Sequence, residues 1–204
     1  EIHSGDWSSD VCSSDLFTLR SDVKFHQNKL FKKPDSRRVN ANDFVYSFNR
    51  IMDPATSSPG AWVFTYLDKK YGKNGCKALN DTTLQIKLKK PFPPFIGLLG
   101  MKYCAVVPEE IISHYGNAFG QHPVGTGPFL MHKWKQGDVI LLKSNPDYYE
   151  KDEKGRRLPY LESVVISFIT DKQSEFMEFM LGNLDFISGI NAQYKDALLT
   201  RDGQ

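Results

Sequence analysis

The sequence predicts a mixed chain of the α/β or α+β class, and three observations carry that prediction. Several stretches alternate apolar and polar residues with a period of two, others place apolar residues at helical spacing, and Gly- and Pro-rich segments separate them. Read in order they give about seven strands and five helices, too interleaved for an all-α or all-β domain. The composition agrees: 204 residues, 40% hydrophobic and 25% charged with a formal net charge of +2, describe a chain able to bury a core. Disordered and collagen-like classes are excluded. No apolar run approaches the ~18 residues of a membrane-spanning helix, and the interspersed charges do not form a nucleic-acid-binding pattern.

Residues 1–16 stand apart. They repeat Ser-Ser-Asp at Ser8-Ser9-Asp10 and Ser13-Ser14-Asp15 with no hydrophobic period and no signal-peptide layout. The stretch from Asp6 to Leu16 resembles the conceptual translation of a common sequencing-library adapter, so the segment is read as non-native. Taking its four acidic residues from the total of 24 leaves 20 acidic against 26 basic residues. A chain that enters this way and stops at Gln204 is expected to be a fragment.

Phe17-Thr18-Leu19-Arg20 and Val23-Lys24-Phe25-His26 read as short strands about a turn at Ser21-Asp22, followed by a polar loop over residues 27–38. Asn40 is a good N-cap with Asp43 three residues on, and Ala41, Phe44, Val45, Phe48, Ile51 and Met52 share one helical face up to Asp53-Pro54. A turn over residues 57–60 leads to an aromatic run at Trp62, Phe64, Tyr66 and Tyr71. Leu84, Ile86 and Leu88 alternate with Gln85 and Lys87 as a half-buried strand over residues 83–88, and a short helix ends at Leu99. Residues 104–107 are expected to form a buried strand, with Pro108 at the first helical position and Gly116 closing the helix. A hairpin is predicted over residues 129–134 and 139–143, then a polar excursion over residues 145–159. Val164, Ile166 and Phe168 mark a strand. Residues 171–181 mark a helix with Phe176, Met177, Met180 and Leu181 inward and Gly182 as its stop. A short strand over residues 184–187 and a helix capped by Asn191, carrying Tyr194, Ala197 and Leu198, complete the reading.

Catalytic patterns are missing. Gly125-Thr126-Gly127 is followed by Pro128 and an alternating strand, not by the Gly-Lys-Ser/Thr and helix of a phosphate loop. Two glycines beside prolines suit a positive-φ crossing between sheets, an architectural role. His26, His114, His122 and His132 lack metal-helix spacing and read as loop or surface histidines. There is no nucleophile elbow. The pairs Glu109-Glu110 and Asp152-Glu153 sit in charged surroundings that suit a solvated face. Cys76 and Cys104 are too isolated for a redox or zinc motif. No catalytic residue, metal site or cofactor is expected.

Five blocks in order carry a resemblance. They are the Phe17–Arg20 and Val23–His26 pieces; Val39-Asn40-Ala41-Asn42-Asp43-Phe44-Val45-Tyr46-Ser47-Phe48; Pro123-Val124-Gly125-Thr126-Gly127-Pro128-Phe129; Asn145-Pro146-Asp147-Tyr148-Tyr149; and Gly182-Asn183-Leu184-Asp185. Together they are similar to the family 5 extracytoplasmic solute-binding proteins, the peptide and nickel receptors of bacterial ATP-driven (ABC) importers.

The resemblance implies an α/β fold, one lobe of a type II periplasmic-binding-protein-like clamp with a mixed sheet and the second lobe missing. Residues 17–123 would be an inserted subdomain of the first lobe and residues 124–204 its return into the main sheet. The implied function is capture of a peptide-like or other small solute outside the cytoplasmic membrane and transfer to the importer's permease subunits. The protein would be a monomer and a periplasmic or cell-surface lipoprotein, meeting the membrane only through an anchor outside this segment. It would have no nucleic-acid partner and no enzymatic activity. A ligand-sensing regulator and, behind it, a peptide hydrolase are the other readings. Trp62, Met101, Tyr103 and Cys104 are the implied cleft-wall residues, and Gly125, Thr126, Gly127 and Pro128 the structural motif.

Overall fold

The strongest alternation in the sequence forms the centre of the larger sheet. In the computed structural model, which describes residues 2–4, 14–33 and 37–194, strand β4 (Thr83–Lys87) lies between β2 (Ser14–Leu19) and β3 (Cys76–Asn80), and β1 (Ile2–Ser4) pairs with the outer side of β2. All three pairings are antiparallel, with Phe17 opposite Leu84 and Cys76 opposite Ile86. Leu84 and Ile86 are completely buried, as the period of two requires. Each such side chain contributes about 1.5–3 kcal/mol on leaving water. β3 escapes the sequence reading because Lys77 and Asn80 dilute its pattern. Its approach turn needs Gly75 at φ 93°, where a Cβ would stand 2.7 Å from the Leu67 Cβ.

Helix α1 (Ala41–Met52) packs on this sheet and begins as predicted. The Asn40 side chain accepts the amides of Asn42 and Asp43, and the Asp43 carboxylate accepts the Asn40 amide, a complete capping box. Phe48 and Ile51 enter the main core with Phe17, Leu84 and Phe64, while Phe44, Val45 and Met52 cover its margin. Ser47 is also buried, for a reason no hydrophobic period reveals. Its Oγ accepts the Val107 amide at 2.9 Å and donates to the Val107 carbonyl at 3.3 Å.

That bond explains a difference from the sequence reading. Residues 104–107 do not form a strand: Lys102–Cys104 is a 3-10 turn, and Val107 spends its main-chain groups on a serine rather than on a neighbouring strand. Pro108 is the N-cap of α3 (Glu109–Tyr115), one place before its expected position, and Gly116 ends the helix at φ 51°. Between α1 and α3 the chain forms α2 (Phe95–Leu99) and the 3-10 helix Ala61–Tyr66. Phe25, Phe31, Ile111 and Val124 form a second, smaller core.

The chain divides into two compact units, Glu1–Met131 with Lys143–Ser163, and His132–Leu142 with Val164–Gln204. β5 (Phe129–Lys135), β6 (Val139–Ser144) and β7 (Ser163–Ser167) form a three-stranded sheet in that order, with Gly137 at φ 74° in the predicted hairpin turn. In the second unit α4 (Lys172–Met180) starts at Asp171, whose carboxylate accepts the Ser174 amide. Only Phe176 of its expected inward set is buried; Met177, Met180 and Leu181 are exposed. The period identifies an apolar face, and the described residues cover one side chain of it. Residues 184–187 form no strand. Asn191 does cap a 3-10 turn, Ala192–Tyr194, and the expected positions Ala197 and Leu198 lie outside the described residues.

Candidate functional site

Three of the sequence blocks meet at the glycine loop, through hydrogen bonds. The His26 ring, read from sequence as a surface or loop histidine, is buried: Nδ1 accepts the Gly125 amide at 3.4 Å and Nε2 lies 3.0 Å from the Gly127 carbonyl. The His26 amide donates to the Gly125 carbonyl at 2.8 Å. From the other side, buried Asn145 donates its side-chain amide to the Gly127 carbonyl at 3.0 Å and its main-chain amide to the Pro128 carbonyl at 2.8 Å. Gln27 and Asp147 close the junction at 2.9 Å. Gly125 and Gly127 do not have the positive φ expected of them. A Cβ on Gly127 would meet nothing within 4 Å among the described residues, and one on Gly125 only the edge of His26.

The open space beside these glycines is a cavity of about 350 Å³ in the first unit. Leu19, Val39, Phe44 and Val106 supply apolar wall, Gly125, Thr126 and Gly127 a bare main-chain face, and Arg20 and Tyr149 a polar rim. The Arg20 guanidinium is 4.7 Å from the Tyr149 ring centre and bonds both Asp22 oxygens, at 3.0 and 2.8 Å. None of the four expected wall residues lines this cavity. Arg20, Phe44 and Tyr149 belong to three of the sequence blocks that carry the family resemblance, and the fold brings them to one cavity.

Trp62 and Tyr103 lie elsewhere in the same unit, on two short 3-10 turns. The turns touch where Gly60, the residue capping Ala61–Tyr66, lies against the Tyr103 side chain; a Cβ at Gly60 would stand 2.6 Å from the Tyr103 Cγ. Trp62 is 45% exposed while its neighbours Val63 and Phe64 are buried. Tyr103 is half-buried. Met101 packs on the main core, and Cys104 is buried with its thiol 3.5 Å from the Leu98 carbonyl. The pair behind the wall is therefore supporting rather than exposed.

Titration follows burial. Desolvation pushes the Cys76 thiol up to about 12 and raises that of Cys104. Burial lowers the His26 pKa, against the opposing bond to Gly127, so its ring is neutral. The Nε2–H then donates to Gly127 while Nδ1 accepts from Gly125. At the first helix cap, Arg37 spans Asp43 at 2.5 Å and Glu110 at 2.8 Å. Desolvation of Glu110 is outweighed by Arg37, and its pKa falls. No group of three or more His, Cys, Asp or Glu side chains is arranged to hold a metal ion among the described residues.

Residues 6–204 match the family described as bacterial extracellular solute-binding proteins, family 5 Middle. The chain belongs to this family. It is 31% identical over 170 residues to the glutathione-binding protein GsiB of Salmonella paratyphi A, a match covering 83% of this chain and 29% of that protein. It is 31% identical over 189 residues to heme-binding protein A of Haemophilus influenzae, covering 88% and 33%, and 32% identical over 139 residues to the periplasmic oligopeptide-binding protein OppA of Salmonella typhimurium, covering 62% and 26%. Among solved structures, the periplasmic binding protein DppA of Helicobacter pylori in complex with the peptide STSA superposes with a TM-score of 0.74 at 28% identity, over 95% of this chain and 38% of that one. The murein tripeptide binding protein MppA of Escherichia coli gives 0.79 at 22% identity, over 96% and 38%. The fold is that of type II periplasmic binding proteins, and the chain spans a third or less of the length of these curated relatives.

Proposed function

We propose that this chain is part of the substrate-binding component of a bacterial ABC importer, which captures a peptide-like or other small solute outside the cytoplasmic membrane and delivers it to permease subunits unchanged. The family relatives are named as binding proteins, for glutathione, oligopeptides and heme, and one is named periplasmic. Within this reading residues 17–123 are an inserted subdomain of the first lobe and residues 124–204 the return to its main sheet. In support, among the described residues the sheet β1-β2-β4-β3 draws no strand from beyond residue 123 and β5-β6-β7 draws none from before it, although the compact units divide elsewhere, with residues 124–131 and 143–163 in the first. The working protein is a monomer, periplasmic or held at the cell surface as a lipoprotein.

The observation that carries the reading is Trp62. A large aromatic side chain left 45% exposed amid a buried run, two residues after the glycine that packs against Tyr103, is built to lie against something other than its own core. Trp62 and Tyr103 form the contact face, with Met101 and Cys104 behind them and the Gly125–Pro128 block holding the lobe together. Calorimetric titration of the protein with short peptides and glutathione tests this. Binding without product, weakened by Trp62→Ala, is expected; product formation, or an affinity indifferent to Trp62, would refute the assignment.

A further inference from the structure

The glycine loop is held by some of its main-chain groups and leaves others unanswered. His26 and Asn145 take the Gly125 amide, the Gly125 carbonyl and the Gly127 carbonyl. The amide and carbonyl of Thr126 and the amide of Gly127 have no hydrogen-bond partner among the described residues, although both residues are half-buried and line the cavity. Neither glycine serves a positive φ. Neither makes room for a neighbouring part of the protein: a Cβ at Gly127 would meet nothing within 4 Å, and one at Gly125 only the His26 ring edge at 4.0 Å. The remaining use of a bare main chain is close approach by something else. Leu19, Val23, Val39, Phe44 and Val106 line the same space with carbon. Its one charged lining side chain, Arg20, already holds both carboxylate oxygens of Asp22, at 3.0 and 2.8 Å.

We infer that this cavity is a second binding site, which takes a small uncharged molecule with an apolar body and one polar edge that both donates and accepts a hydrogen bond, as a lactam or carboxamide does. The volume of about 350 Å³ falls at the lower end of the ~300–1,000 Å³ range of small-molecule sites. The apolar body covers the carbon lining, and the polar edge answers the main-chain groups of Thr126 and Gly127 that the protein leaves unpaired. An ion is disfavoured. With the Arg20 charge met by Asp22, a carboxylate or ammonium entering the cavity would shed water without gaining an opposite charge. The site stands apart from the proposed contact face, since Trp62, Met101, Tyr103 and Cys104 contribute nothing to its lining.

The test uses the isotope-labelled 204-residue chain, with the amide signals of Thr126 and Gly127 followed by NMR. Three probes are titrated: ε-caprolactam; N-methylcaprolactam, which keeps the ring and loses the donor; and ε-aminocaproate, the opened, zwitterionic form of the same skeleton. Caprolactam should shift both amides and saturate in the millimolar range expected of so small a probe. N-methylcaprolactam should bind about threefold to tenfold more weakly, the worth of one neutral hydrogen bond. The zwitterion should leave both amides unmoved. Gly127→Leu places a side chain in the open space without requiring a new φ, and should abolish the caprolactam response. If that variant fails to fold, the three probes on the unaltered chain decide. Equal binding of the two lactams, or an equal response to ε-aminocaproate, overturns the assigned chemistry. Amides unmoved by caprolactam, or a response that survives Gly127→Leu, overturn the site. Each of these failures leaves the receptor reading intact, because that reading is tested at Trp62.

Discussion

His26 holds Gly127 by its ring and Gly125 by both ring and main chain, so one buried histidine fixes the loop that joins three separated segments. Because burial lowers its pKa below the usual 6.5, the sign of the pH effect is determined. Above about pH 6.5 both folded and unfolded forms are neutral and the ring costs nothing. As pH falls through that value the unfolded chain takes up a proton that the native ring refuses, so stability declines until the lowered native pKa is reached. Denaturation midpoints between about pH 8 and pH 5 should show this decline, and His26→Gln, which keeps a donor and an acceptor, should flatten it. His26→Ala should cost about 1–3 kcal/mol at neutral pH by orphaning the loop's polar groups.

The start of α1 depends on two neighbours of different weight. Asn40→Ala removes the cap and should cost about 1 kcal/mol. Asp43→Ala should cost more, about 3 kcal/mol, because it also strips Arg37 of a buried partner. Urea denaturation of the two variants orders them, and equal losses would mean that the Arg37 contact contributes nothing.

Both described thiols should be silent in the native protein. Cys76 is wholly buried with its pKa pushed up to about 12, and Cys104 is buried and shifted the same way. In a Cys12→Ser background, a thiol reagent such as dithionitrobenzoate at about pH 8 should react with neither until guanidinium is added. Rapid labelling of Cys104 before unfolding would place it on the ligand wall after all.

Gly60 is the contact on which the aromatic wall turns. Gly60→Ala puts a methyl group 2.6 Å from the Tyr103 Cγ, too close to stay, so Tyr103 or the Trp62 turn must move. Overpacking of this kind costs about 1–3 kcal/mol. The loss should appear both in the melting temperature and as a shift in Trp62 emission. A variant with unchanged emission would separate Trp62 from Tyr103.

Sequence periodicity reports what a side chain prefers, not what lies opposite it. Leu84 and Ile86, the Asn40 cap and the β5–β6 turn were legible because their causes are local. The burial of Ser47 and His26 was not, since each answers main-chain groups 60 or about 100 residues away. The same holds for the cavity, whose wall draws on five separated stretches. Ser14-Asp15-Leu16, set apart with the other residues up to 16 as foreign in wording, still extend β2 opposite Lys87, Ile86 and Gln85. Strand extension asks mainly for main-chain donors and acceptors, so it is tolerant of sequence. Of the site, the aromatic residues were nameable from sequence, but the contact of Gly60 with Tyr103 required the fold.

The second unit separates apolar character from burial, and mutation should show it. Phe186 is 82% exposed and Leu181 69%, whereas Phe176 on α4 is buried and stacked 4.0 Å from the Tyr194 ring. Phe176→Ala should cost about 3 kcal/mol or more, the loss of a buried aromatic. Leu181→Lys and Phe186→Ser should each change stability by no more than about 0.5 kcal/mol, because they already meet solvent. They should also reduce binding of the dye anilinonaphthalene sulfonate, which reports exposed apolar surface. If instead Phe186→Ser destabilises the 204-residue chain as strongly as Phe176→Ala, the 186 side chain is covered in solution and the exposed face of this unit is smaller than the structure gives it.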